Sequence, residues 1–276
     1  MAIITISHSA FGGGREVAER VASVLDHRCI SREVLLEASK LYGIPEAKFS
    51  ETLESDPNWW KRWRESVRVY RAALQAAMFE LAQEGKIVYH GRAGQAFFRD
   101  VEHVLKILLL APMEYRMQQV KARMGLGDRD ALDYIEHTDR IRSRRFKAIF
   151  EGDRLDPTRY DLVVNFSSMD LNTVAELIID ASQKHDFQLD IESTRALRDS
   201  AVTARVQAAL AMAPQTLNLE VGVKTTDGVV SLYGVFADRG LANEIARIAG
   251  DVSGVAKVVP DFVFTDRAQA VERAID

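Results

Sequence analysis

The chain has 276 residues, 47% of them hydrophobic and 28% charged, with a formal net charge of −4 at pH 7. That length holds one large domain or two smaller ones, and the composition suits folded cores under a charged surface. The acidic balance argues against a polyanion binder, so no nucleic acid is expected, and no apolar run approaches the ~20 residues of a membrane span. A single cysteine, Cys29, precludes an intramolecular disulfide and fits a reducing compartment. An apolar strand beginning at Ile3 leaves no room for a charged leader. A cytoplasmic location is expected.

Residues 3–7, Ile-Ile-Thr-Ile-Ser, read as a short buried strand, and Gly12, Gly13 and Gly14 follow before Arg15-Glu16-Val17-Ala18. Strand, glycine turn and helix together make a phosphate cradle: glycine lets backbone N–H groups close on an anion, and the helix start adds its positive dipole end. In the usual phosphate loop a lysine precedes Ser or Thr, whereas here Gly14 or Arg15 takes that slot, depending on register. The helix carries Val17, Val21 and Val24-Leu25 at 3.6-residue spacing. A short segment at 28–32 and a helix over 33–41 come next. Residues 43–58 mix Gly, Pro, Ser and acids and read as a loop or mobile insert. From Trp59 the positions Trp59, Trp63, Val67, Tyr70, Leu74, Met78 and Leu81 predict a long helix, broken at Glu84-Gly85-Lys86. The stripe reads as core; Trp60 and the basic residues beside it fall on the outer side.

Two apolar runs, 87–89 and 104–110, suit buried parallel strands. Helices over 114–123 and 128–150, a buried strand at 162–164 and a helix over 171–182 complete an alternating α/β pattern with a parallel sheet. Around 184–193 the pattern changes. A helix through Val202, Val206 and Leu210 leads to alternating Leu219, Val221 and Val223. Asp227-Gly228 then sets a tight hairpin into 229–236. A helix through Leu241, Ile245, Ile248 and Val252 precedes a last strand, 255–264, whose Pro260 predicts an edge or a bulge. This is a separate αββαβ unit.

With these residues in view, the first 183 resemble the cytidylate kinase-like family, a branch of the P-loop nucleoside monophosphate kinases. The resemblance rests on an ordered set: 3–7 with 12–18 as a modified phosphate loop, and His90-Gly91-Arg92-Ala93-Gly94 against D-G-R-D-x-G. It continues through 104–112 with Glu114 and Arg116, 139–145 as an arginine-bearing lid, and 156–165 as the closing strand. Residues 195–266 resemble a BON domain through 226–234 and 254–259. The resemblances divide the chain into a P-loop NTPase-like α/β domain (1–183), a linker (184–194), a small α+β BON domain (195–266) and a tail (267–276).

The kinase resemblance implies ATP and Mg2+ as cofactors and a nucleoside monophosphate as acceptor, with oligomerisation possible. Ser7, Gly12, Gly13, Gly14, Arg15 and Glu16 would bind phosphate and nucleotide. Arg15, Arg140, Arg142 and Arg144, with Arg145 beside them, would supply positive charge during transfer. Arg32 and Arg92 would hold the acceptor. Arg116 is either a site arginine or a structural ion-pair partner. His90 stands where the kinases have Asp, so no metal ligand is assigned. Cys29 reads as a small buried hydrophobe. The BON resemblance implies a phospholipid or protein partner. Two other readings stand beside the kinase: a nucleotide sensor or scaffold that transfers nothing, and a structural assembly unit.

Overall fold

The computed structural model describes residues 2–49, 64–83, 85–150 and 152–265; Trp59, Trp60 and Trp63 lie outside them. The chain forms two compact units. One holds the described residues of Met1–Arg62 and Glu84–Asp190, the other those of Trp63–Gln83 and Ile191–Asp276.

The first unit is built on a parallel sheet. Its strands are β1 (Ile3–His8), β2 (Arg28–Ile30), β3 (Ile87–Gly91), β4 (Val104–Leu110) and β5 (Leu162–Asn165), in the order β2-β3-β1-β4-β5. The segment at 28–32 therefore supplies an edge strand, and β5 closes the other edge. Val163 on β5 is exposed, so this strand is half-covered, unlike the fully buried run expected from its Leu-Val-Val sequence. In chain order the helices begin with α1 (Gly14–Leu25), α2 (Glu33–Tyr42) and α3 (Arg64–Gln83), of which α3 belongs to the second unit. Those that follow are α4 (Gly94–Phe97), α5 (Met113–Met124), α6 (Asp128–Phe150) and α7 (Leu171–Ser182). Part of the expected 43–58 loop is ordered: residues 46–49 form a helical turn, and Phe49 is fully buried.

One face of the sheet packs Ile4, Ile6, Val88, Leu105 and Ile107 under Val17 and Val21 of α1. Val174 and Ile178 of α7 join the same core. Central strands buried on both faces read as continuous β-branched and leucine runs, which is what β1 and β4 show. The register pairs Ser7 with Gly91. The turn after β1 and the segment carrying Arg92 thus emerge side by side at the carboxyl ends of the strands, where open parallel sheets bind ligands.

The second unit adds α8 (Ile191–Met212) and α9 (Arg239–Gly250) to α3. Its sheet has strand order β6-β7-β8, from β6 (Gly222–Thr226), β7 (Val229–Phe236) and β8 (Lys257–Phe264). The hairpin joins Thr226 to Val229 through Asp227 (φ 50°) and Gly228 (φ 75°). Two successive positive φ values are the twist-matched geometry that favours Asp-Gly. Asp199 accepts both turn N–H groups, from Asp227 at 2.8 Å and Gly228 at 3.0 Å. Asp199→Ala is expected to lower stability by about 1–2 kcal/mol, read from a denaturant titration. Pro260 sits on β8, which pairs with β7 and is an edge, the place in a sheet where a residue without an N–H is tolerated.

Candidate functional site

β1 ends at His8, and residues 9–13 turn the chain into α1. Phe11 (φ 56°) and Gly13 (φ 67°) both take left-handed conformations, and the turn closes with Gly12 N–H on Ser9 O at 3.1 Å. The first N–H groups of α1 have no acceptor inside the helix, and Gly13 brings no side-chain cap. The start of α1 is therefore a set of donors aimed outward with the helix dipole behind them.

Gly14 is required by close approach. A Cβ there would lie 2.2 Å from His8 Cδ2, because the His8 ring lies against the helix start. Gly14→Ala is expected to destabilise the fold by about 1–3 kcal/mol through overpacking, and His8→Ala in the same chain to recover much of the loss in a double-mutant cycle.

His8 Nδ1 donates to Ser9 O at 2.9 Å, which leaves Nε2 without a proton in the neutral ring. Burial first, then the charge of Arg142, His90 and Arg154, pushes its pKa down to about 4, against an opposing backbone hydrogen bond. The folded ring stays neutral while the unfolded one takes a proton below about 6.5. Stability is therefore expected to fall as pH drops from about 6.5 to 4. His8→Gln should flatten that part of the Tm–pH curve.

Around this turn stand four arginines from four segments. Arg116, on α5, is buried; its Nε donates to Ala10 O at 2.7 Å and its Nη2 to Asp139 Oδ2. Arg154, also buried, reaches Asp139 Oδ1 at 3.3 Å, Ser143 Oγ at 3.3 Å and His8 O at 3.5 Å. Asp139 lies on α6 and also accepts from Ala10 N–H at 3.3 Å. One carboxylate thus ties the long helix to the glycine turn through two buried guanidinium groups.

Arg142, one helical turn after Asp139, has its buried Nε without a hydrogen-bond partner. Burial, then the charges of Arg92 and Arg154, pulls its pKa down to about 10. Arg92, just beyond β3, completes the group. Four guanidinium groups gather about the one Asp139 carboxylate, an excess of positive charge that favours an anion between them.

The expected site residues divide clearly. Gly12, Gly13, Gly14, Arg92 and Arg142 come together at the strand ends, and Arg116 joins them. The Ser7 hydroxyl is spent inside, donating to Gln95 Oε1 at 2.7 Å. The Arg15 side chain is 71% exposed and paired with Glu19 at 2.7 Å, one turn along its own helix; it does not turn into the cradle. Glu16 pairs with Arg123 at 3.0 Å, and Arg32 is exposed and paired with Glu46. Arg140 and Arg144 are exposed on other faces of α6, since residues two apart point about 200° away from each other. Cys29 is half-buried, and burial followed by Glu19 and Glu33 pushes its thiol up to about 11, the state of an unreactive thiol. Sequence reading missed Asp139 as an anchor and Arg154 altogether. Asp139 and Arg142 at i,i+3 was the available signal for one helix face; Arg154 gave none, because its approach is long-range.

The family model described as the cytidylate kinase-like family matches residues 3–168. The chain belongs to the cytidylate kinase-like family. A second family model, the BON domain, matches residues 198–266. A cytidylate kinase of Methanopyrus kandleri is 26% identical over 174 residues, 60% of this chain and 84% of that protein. One from Methanocorpusculum labreanum is 26% identical over 187 residues, covering 66% and 99%. A shikimate kinase structure from Bacteroides thetaiotaomicron aligns over 66% of this chain and 99% of its own, with TM-score 0.43 and 10% identity. Among the described residues no helix is long and apolar enough to cross a membrane.

For a cytidylate kinase-like chain the donor set suits the phosphate of a nucleotide: free helix N–H groups, and an arginine with a buried unpartnered nitrogen. It suits a protein-held metal poorly. Both Asp139 oxygens are already held by arginine, and no cluster of three His, Cys, Asp or Glu that could hold a metal occurs among the described residues.

Proposed function

We propose that the N-terminal unit binds a nucleoside triphosphate with its phosphates at the glycine turn and passes the terminal phosphoryl group to a nucleoside monophosphate. The observation carrying this reading is the convergence of Arg92, Arg116, Arg142 and Arg154 on the turn, with Arg142 Nε left unpartnered. Phosphoryl transfer asks the protein mainly for positioning and positive charge. In this reading Gly13, Gly14 and the first turn of α1 cradle the donor phosphates. Arg142 neutralises charge on the moving group, and Arg92, at the end of β3, grips the acceptor phosphate. Arg116 and Arg154 hold Asp139 and keep α6 in place.

The cytidylate kinases among the relatives favour a pyrimidine acceptor such as CMP. BON-type modules suggest a lipid or protein partner for residues 198–266. A second reading, a nucleotide sensor without turnover, is favoured by one observation: Arg15 is turned out to Glu19, so the turn contributes no cation of its own.

Melting temperature against nucleotides, with and without Mg2+, separates the readings, because a ligand that binds the folded state must raise Tm. Shifts with both ATP and CMP, followed by ADP release, support the kinase. A shift without ADP release selects the sensor, and no shift at filling concentrations removes both.

A further inference from the structure

Helix α3 is encoded inside the kinase-like stretch, since residues 64–83 fall within the 3–168 match, yet it is compact with the C-terminal unit. From Ala72 to Ala82 every residue except Gln75 and Glu80 is buried, the mark of a core helix.

Its partner is α8, against which it packs. α8 carries two apolar stripes. Val202, Val206 and Leu210 lie beneath the C-terminal sheet with Val230 and Leu232. Leu197, Ala201, Ala204, Ala208 and Ala211, spaced alternately four and three apart, are buried outside that cluster. A stripe offering mostly methyl groups lets a second helix approach closely. α3 answers with Ala72 and Ala76, and Ala72 shares a groove wall with Ala211.

Polar tethers hold α3 near both of its own ends. Arg68 donates to Leu219 O and to Thr216 O at 3.3 Å. Glu80 binds Arg205 Nε, whose Nη1 reaches Ser253 O at 2.7 Å. The early part of α3 thus meets the end of α8 and its late part the middle, so the helices run antiparallel.

We propose that α3 is a regulatory strap: a structural element of the C-terminal module inserted in the N-terminal chain, through which events at that module act on the nucleotide site. Three residues separate its end at Gln83 from β3, the strand that presents Arg92. A partner that stabilises the module stabilises α3 by mass action, and the coupling is reciprocal. The consequence for nucleotide rests on the proposed function; the assignment of the helix does not.

Native-state hydrogen exchange on the full chain tests both parts, because segments that open together share one opening free energy. Amides of α3 are expected to exchange with the denaturant dependence of α8. Arg205→Ala should accelerate α3 and α8 together by about tenfold or more while β1 and β4 hold. If α3 follows β3, or Arg205→Ala speeds α8 and leaves α3 unchanged, the strap is overturned. Added ATP should alter exchange in α3 and α8 as well as α1. Protection of α1 with α3 unmoved overturns the coupling. No protection anywhere counts against nucleotide binding, while the first comparison still decides the helix.

Discussion

Replacing Arg142 by Met is expected to weaken ATP binding by about 10- to 100-fold, the range of one charge-assisted hydrogen bond, while making the ligand-free protein more stable. The two effects have opposite signs for one reason. Without a bound phosphate, Arg142 is a desolvated cation facing Arg92 and Arg154, only partly offset by Asp139, with its buried Nε unpartnered. Met keeps an unbranched apolar stem and removes the charge, which should raise unfolding stability by about 1–2 kcal/mol. In the proposed function the same guanidinium is the group that meets the phosphate. Titration calorimetry and urea unfolding read the two halves separately. A variant that binds ATP normally and unfolds more easily would make Arg142 a structural residue and remove the main support for the proposed site.

Asp139→Asn should have the largest effect on stability, a loss of about 3–5 kcal/mol. The side chains of Arg116 and Arg154 are 7% and 5% exposed and share this carboxylate. Asn keeps the shape and removes the charge, leaving two buried guanidinium groups uncompensated. Because Asp139 also accepts the Ala10 N–H, the turn and α6 should loosen together. Adding Arg154→Met to Asp139→Asn should restore part of the loss, and inorganic phosphate should raise the Tm of Asp139→Asn more than that of the parent. If the Asp139→Asn variant unfolds like the parent protein, the anchor has been misassigned.

Both predictions depend on residues to which the sequence gives uneven weight. Arg142 is one of four lid arginines, and only its i,i+3 spacing from Asp139 sets it apart from Arg140 and Arg144, without saying which face of the helix will dock. The distinction comes from helical phase once α6 is docked: Asp139 and Arg142 share the face toward the turn, and Arg140 and Arg144 are exposed elsewhere. Arg15 shows the converse. Its place beside three glycines suggests a stand-in for lysine, but a residue on the first turn of α1 with Glu19 four positions later has a nearer partner along its own helix.

Local periodicity is enough for β1, α1, β4, α6 and the αββαβ unit, as it is for the Asp-Gly hairpin, because each is determined by residues within a few positions of one another. The same holds for the glycine turn as a left-handed turn into a helix start. Other features arise only when distant segments meet: the strand order β2-β3-β1-β4-β5, the half-exposed β5 edge, the capture of Asp139 by Arg116 and Arg154, and the partnership of α3 with α8. An apolar stripe states that a helix will be buried, not against what. A charge states that it needs a counter-charge, not from which segment. Neighbouring residues therefore suffice to set the elements and the backbone conformation of the turn. Burial and Coulomb attraction act through space, so which of the many arginines face that turn, and which unit receives the helix at 64–83, are settled only in the folded chain.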